Sequence, residues 1–113
     1  MSQYMLMFVG NDDGFDAVSK ETREKAMGGI MAWWDDLEKK GVIKGGEQLS
    51  RQRTATSVRR VNGSMKAFDG PFIESKESVG GYAVIEVADL DKAIAIAKRW
   101  PGGDVEVRPV VER

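Results

Sequence analysis

Apolar positions along this chain fall into several distinct rhythms, and each predicts an element. Residues 3–9 (QYMLMFV) form a short, nearly continuous apolar run with aromatics, the pattern of a central strand. Residues 10–19 (GNDDGFDAVS) are rich in Gly, Asn and Asp and read as a loop. From Ser19 the rhythm lengthens: Ala26, Ile30, Trp33, Trp34 and Leu37 recur at helical spacing and give one broad apolar face. Ser19 is the expected N-cap, with Glu21 and Glu24 at the positive end of the dipole, and Lys39, Lys40 and Gly41 suit the other end. Gly28-Gly29 inside this helix costs about 2 kcal/mol relative to two alanines, which suggests either close packing against a neighbouring backbone or a pair that the helix simply tolerates. The Trp pair reads as core or dimer contact rather than as a stacking platform.

The second half is shorter in period. Val42 and Ile43 begin a strand, and residues 44–53 (KGGEQLSRQR) read as a connection. Residues 54–61, Asn62-Gly63 and residues 64–69 predict a hairpin, because Asn-Gly takes the positive φ values of a type I′ turn. A two-residue loop pairs Val61 with Ser64 and Thr56 with Asp69, so Asp69 falls where the hairpin opens. Residues 82–87 (YAVIEV) are the next strand. Asp89 caps a helix to about Arg99, with Ala93, Ile94, Ala97 and Trp100 on its buried side, and Pro101-Gly102-Gly103 ends it. In residues 104–110, Val105 and Val107 alternate with Glu106 and Arg108, and Pro109 places the far end at an edge. The plan is α+β: a single domain over 1–113, with two main helices on one face of a largely antiparallel sheet. The uncovered face calls for a partner, a need that the apolar alternation of residues 82–87 and 105–110 fits, so a homodimer is expected.

Composition narrows the chemistry. The 113 residues carry 17 Lys+Arg and 18 Asp+Glu, so the net charge of −1 offers no bulk attraction to nucleic acid or anionic lipid. No apolar run is long enough to span a bilayer, and the N-terminus lacks a signal-peptide pattern, so a cytoplasmic location is expected. The chain has no Cys and no His. A thiolate nucleophile, a Ser-His-Asp triad and a zinc site are therefore excluded, and no cofactor or metal is expected. Asp12, Asp13 and Asp16 resemble part of a calcium loop, but the spacing and closing Glu are absent.

Asp69 is the leading catalytic candidate. As a turn residue it accepts backbone N–H bonds before Gly70-Pro71; as a buried carboxylate at a strand end it would act as acid or base. Glu47, Arg59, Tyr82 and Arg108 are the candidate ligand-binding residues. Arg59 and Arg108 can hold an acidic ligand bidentately; taken one by one, their structural reading is a cross-strand ion pair or a solvated charge. Lys76, beside Glu77, is not a nucleophile, since the acid favours its charged form. Gly80-Gly81 suits a bulge where the chain re-enters the sheet.

DGPF at 69–72, followed by ESKESVGGY, ADLDKAIAIAKRWP and VEVRPV, with GGEQL and TATSVR upstream, is similar to the DGPF subgroup of YCII-related domains. The resemblance implies a ferredoxin-like domain paired into a dimeric α/β barrel, with a pocket between the sheet and its helices. It implies uncharacterised biochemistry, with enzymatic activity suspected from a His-Asp pair of which only Asp69 has a counterpart here. It also implies an association with alternative sigma factors. Two functional expectations follow: a small-molecule-binding homodimer that is a weak acid-base enzyme at most, or a non-catalytic protein-interaction module in transcriptional regulation.

Overall fold

The computed structural model describes residues 1–113, the side chain of Phe15 excepted. The elements in order are β1 (Ser2–Gly10), α1 (Asp12–Ala17), α2 (Lys20–Lys39), β2 (Ile43–Gln48), a 3₁₀ turn (Gln52–Thr54), β3 (Thr56–Val61), β4 (Ser64–Asp69), β5 (Ser78–Val87), α3 (Leu90–Lys98) and β6 (Asp104–Pro109). Four strands form one sheet in the order β2-β5-β1-β6, every neighbouring pair antiparallel. Each long helix connects two strands that leave room for one strand of the other unit between them, which is the ferredoxin-like arrangement. β3 and β4 make a separate two-stranded sheet.

The rhythm of β1 sorts its side chains by face. Tyr4 and Leu6 are buried under the helices, and Phe8 packs against them. Opposite them on β5 are Ile85 and Ala83, with Val105 and Val107 contributed by β6. Leu37 of α2 and Ala93 of α3 close this layer from above, and Leu6, Ala83, Ile85 and Ala93 are wholly shielded from solvent. At one end the core is aromatic. Trp100 stacks on Phe8 with centroids 3.9 Å apart, and Trp33 meets the Trp100 ring edge-on at 5.0 Å. The Trp33 indole N–H also donates to the Ile96 carbonyl at 3.4 Å, tying α2 to α3.

The caps follow the sequence. The Ser19 hydroxyl accepts the Thr22 N–H, Asp89 accepts the Lys92 N–H, and Gly41 takes φ 73° after α2. The hairpin has the expected register, Val61 opposite Ser64 and Thr56 opposite Asp69, with Asn62 at φ 51° and Gly63 at φ 84°. Gly80 is the extra residue of a bulge, since Phe8 faces Gly81 and Val9 faces Val79.

Five expectations are corrected. Residues 12–17 form a helical turn rather than a loop, with Asn11 Oδ1 accepting the Gly14 N–H and two acids in the first turn. The segment read as a connection continues β2 as far as Gln48, because Gly46 lets the strand run tight against β5. A methyl group at Gly28 would touch nothing and one at Gly29 would make only ordinary contact with Pro101, so this pair does not mark close backbone packing. On α3, Ile96 packs against the core, whereas Ile94 is 37% exposed. Ala26 is likewise exposed, and it is Met27 and Ile30 that are part-buried in this half of α2.

The chain is broad and thin, 47 × 44 × 19 Å, and its radius of gyration of 16.2 Å exceeds the roughly 13 Å expected of a compact domain this size. The hairpin of β3 and β4 is the main reason: apart from Ser57 and the half-buried Val61, its residues are exposed.

Candidate functional site

The side of the four-stranded sheet turned away from the helices carries a mixed surface. Cross-strand neighbours share a face, so the register defines its rows. One row runs Glu47, Tyr82, Met7, Glu106 from the β2 edge to the β6 edge. The next runs Gly45, Val84, Met5, Arg108, and beyond it Gln3 donates to Glu86 at 3.4 Å. Tyr82, Val84, Met5 and Met7 form a half-buried floor, among the described residues no protein layer lies over it, and the charged groups stand around it. Arg108 Nε lies 2.9 Å from Glu106 Oε2, a solvated pair that holds the arginine at the β6 rim. Glu47 and Arg108 are on opposite edge strands, about 14 Å apart across the sheet at the usual strand spacing. They can flank one ligand but cannot touch.

The hairpin carries the other two candidates, on opposite faces. Arg59 shares a face with Ser57, Lys66 and Phe68. Its guanidinium sits 4.3 Å over the Phe72 ring and donates to the Phe72 carbonyl at 2.9 Å, so the chain after the hairpin folds back over this side. Asp69 lies on the other face with Thr56, Val58, Ala67 and Met65. It is exposed, and among the described residues its carboxylate makes no hydrogen bond or ion pair. The turn is held instead by the Gly70 N–H on the Ala55 carbonyl at 2.8 Å and by the buried Ser57 hydroxyl on the Gly70 carbonyl at 2.6 Å. Gly70 takes φ 98°, which explains a glycine before Pro71. Among the described residues the Asp69 side chain makes none of the expected backbone bonds, and it is exposed rather than buried.

The candidates therefore divide into two groups: Glu47, Tyr82 and Arg108 on the open sheet face, and Arg59 and Asp69 on the hairpin. Met5, Met7, Val84, Glu86 and Glu106 share the first surface and are not among the site residues expected from the sequence. Their signal was the alternation of Met5 and Met7 with Tyr4, Leu6 and Phe8 in a run treated as uniformly apolar. The apolar alternation of β5 and β6, conversely, mostly serves the helix side. Lys76 and Glu77 lie in a solvated segment, where the Glu77 N–H donates to Ser75 Oγ.

The layer between sheet and helices, where the resemblance placed a pocket, is filled by the core. Two open grooves flank α3 instead. One of about 360 Å³ lies between the helices, with Trp33, Leu37, Lys40, Ile96 and Arg99 in its walls. The other, of about 350 Å³, runs along Val42, Val87, Lys92, Ile96 and Arg99. Among the described residues no group of three acidic side chains is placed to hold a metal ion, and no helix is long and apolar enough to cross a membrane.

A ferredoxin-like sheet with one naked face and an added hairpin defines a class of small α+β domain. The model of the YCII-related domain matches residues 3–112, and the chain belongs to that family. It is also similar to an uncharacterised protein of Rhizobium meliloti strain 1021, 29% identical over 112 residues that span 95% of this chain and 90% of the relative.

Proposed function

We propose that the protein binds a small molecule on the open face of its sheet, as a homodimer. The observation that carries this reading is the uncovered floor of Tyr82, Val84, Met5 and Met7, rimmed by Glu47, Glu86 and Arg108. Such a surface is too apolar to be ordinary solvated sheet, and its few polar groups stand where they could orient a ligand. The dimer is supported by area. The chain exposes 8250 Å², whereas a compact monomer of its mass exposes about 6200 Å². The surplus of roughly 2000 Å² per chain is enough for a large, stable interface. Stacking two naked sheet faces, the dimeric α/β barrel arrangement, would convert the open floor into an enclosed cavity. An acid-base role for Asp69 would need groups that its own chain does not bring to it.

The test is a thermal-shift screen of metabolites on the native protein and on Glu47→Gln, Tyr82→Phe and Arg108→Gln. A compound whose affinity falls about tenfold or more in any of these supports the open face. Binding untouched by all three but lost in Arg99→Gln would move the site to the grooves beside α3. Sedimentation at micromolar concentration as a monomer would remove the dimer.

A second reading, a non-catalytic interaction module, draws on Phe72 and Ile73, which are 60% and 78% exposed just after the hairpin. It requires one protein that co-purifies in fixed stoichiometry and is lost in Ile73→Ser. Purification without such a partner would sink it.

A further inference from the structure

The site on the open face is an apolar floor, and the charges around that floor decide what it can hold. The strand register assigns each of them. Glu47 lies opposite Tyr82, Glu86 opposite Gln3, Glu106 opposite Met7 and Asp104 opposite Val9, so every acid of the four-stranded sheet is on the open side. Arg108, opposite Met5, shares that side, and its Nε is held 2.9 Å from Glu106 Oε2. Glu47, Glu86 and Asp104 form no ion pair among the described residues. The Gln3 amide that donates to Glu86 at 3.4 Å is neutral and leaves that charge in place. Lys44, the extra residue of the slip in β2, is exposed at the sheet edge. Even with Lys44 counted toward this face, acids outnumber cations there by four to two. The whole chain is only −1, so the negative surplus belongs to this face and not to the protein at large.

We propose that the ligand of the open face is an organic cation: an apolar or aromatic body that carries a protonated amine. This inference rests on the reading of that face as the binding surface, and names the class of molecule it takes. The half-buried Tyr82 ring lies on the uncovered floor, and the Glu47 carboxylate stands beside it on the next strand, about 5 Å away at the usual strand spacing. An ammonium set against this pair has the negative face of a ring under it and a carboxylate at its side. Met5, Met7 and Val84 continue the floor as a polarisable apolar surface for the rest of the molecule. An anion of the same shape meets the reverse, three carboxylates without a counter-ion and an arginine already engaged by Glu106. Pairing of two sheets sharpens the preference. Stacked sheets lie about 10 Å apart, and a twofold axis presents the same carboxylates from the opposite wall. Like charges at that spacing repel, and a cation held on each floor offsets the repulsion. Ligand binding and dimerisation therefore strengthen each other.

The test uses matched compounds with one body and three charges: phenylpropylamine, phenylpropanol and phenylpropionate, with the corresponding indole and octyl series, titrated by calorimetry. In at least one series the amine should bind about tenfold or more tighter than the alcohol and the carboxylate. Glu47→Gln, at an exposed position that leaves the fold intact, should weaken the amine about tenfold, and Tyr82→Leu by a similar factor. Arg108→Gln, which frees Glu106, should strengthen it. Equal binding of the three members, tighter binding of the carboxylate, or no binding of any amine overturns the proposal. Carboxylate binding that is lost in Arg108→Gln would overturn the cationic class and leave the open face as the site. Amine binding indifferent to both Glu47→Gln and Tyr82→Leu would overturn the class and the open-face reading together. Self-association gives a second readout without any ligand. Between about 10 mM and about 500 mM salt the Debye length falls from about 30 Å to about 4 Å, so the dimer should tighten about tenfold or more in sedimentation. A dimer that weakens with salt, or ignores it, refutes the charge argument.

Discussion

Gly45 and Gly46 are adjacent in β2 yet stand in opposite circumstances, which makes them a controlled experiment. At Gly45 a methyl group would meet nothing within 4 Å. At Gly46, with φ 148°, it would fall 2.6 Å from Trp34 Cη2 and 2.8 Å from the Ala83 Cα, and would overlap the Tyr82 carbonyl. Two of those neighbours are sheet backbone and cannot move aside without breaking the β2–β5 pairing. Overpacking at such a site costs about 1–3 kcal/mol, and a backbone conformation that only glycine adopts freely adds about 1–3 kcal/mol. Gly46→Ala should therefore lose about 2–6 kcal/mol, a large part of the roughly 5–15 kcal/mol that holds a domain of this kind together. The corresponding fall in Tm is on the order of 10–30 °C. Gly45→Ala should stay within about 0.5 kcal/mol of the native protein. Urea unfolding at one fixed protein concentration, followed by tryptophan fluorescence, measures both. If the two variants unfold within about 0.5 kcal/mol of each other, the tight fit of β2 under Trp34 is wrong.

Trp100→Ala removes the ring stacked on Phe8 and edge-on to Trp33, and should destabilise by about 3–5 kcal/mol in the same assay; a loss below about 1 kcal/mol would show that the aromatic end of the core is dispensable. Ser57→Ala leaves the Gly70 carbonyl without its buried donor and should cost about 1–2 kcal/mol, whereas Ser57→Thr should recover part of that loss, and equal losses in both would point to packing instead. Asp69→Asn, at an exposed side chain with no partner in its own chain, should change stability by less than about 0.5 kcal/mol. A loss of ligand affinity in that variant with unchanged melting would then place Asp69 in the site, and a lowered Tm would return it to a role in the turn.

The elements with local signatures were legible in the sequence. Ser19, Asp89, Gly41 and Asn62-Gly63 each act within four residues of themselves, and each does in the structure what its chemistry dictates. The misreadings arose where distant contacts decide the outcome. Residues 44–48 contain two glycines and read as a connection, yet they form a strand because β5 supplies hydrogen-bond partners from about forty residues away. Ile94 and Ile96 have the same apolar character, and only the direction in which α3 docks selects Ile96 for the core. Gly28-Gly29 looked like a packing device because a glycine pair disfavours helix, but the neighbouring backbone that would justify it is absent.

The site was less legible than the fold for a reason that lies in strand parity. Residues two apart on a regular strand share a face, so Ile43, Gly45 and Glu47 should all point toward the helices with Ile43. The pairing slips by one at Lys44: Ile43 faces Ile85, while Gly45 faces Val84 and Glu47 faces Tyr82. That single extra residue turns Glu47 from the core side to the open side, beside Tyr82. The Gly80 bulge does the same for Val79, which faces Val9 on the open side. A carboxylate at position 47 is thus compatible with the buried layer only because a bulge precedes it, and the following Gly46 is the residue that can pass under Trp34 after the slip. The glycines of GGEQL and VGGY, which read as loop punctuation, instead decide which side chains the open face displays. Parity errors of this kind cannot be recognised from one strand in isolation, because the slip is defined only against the strand beside it.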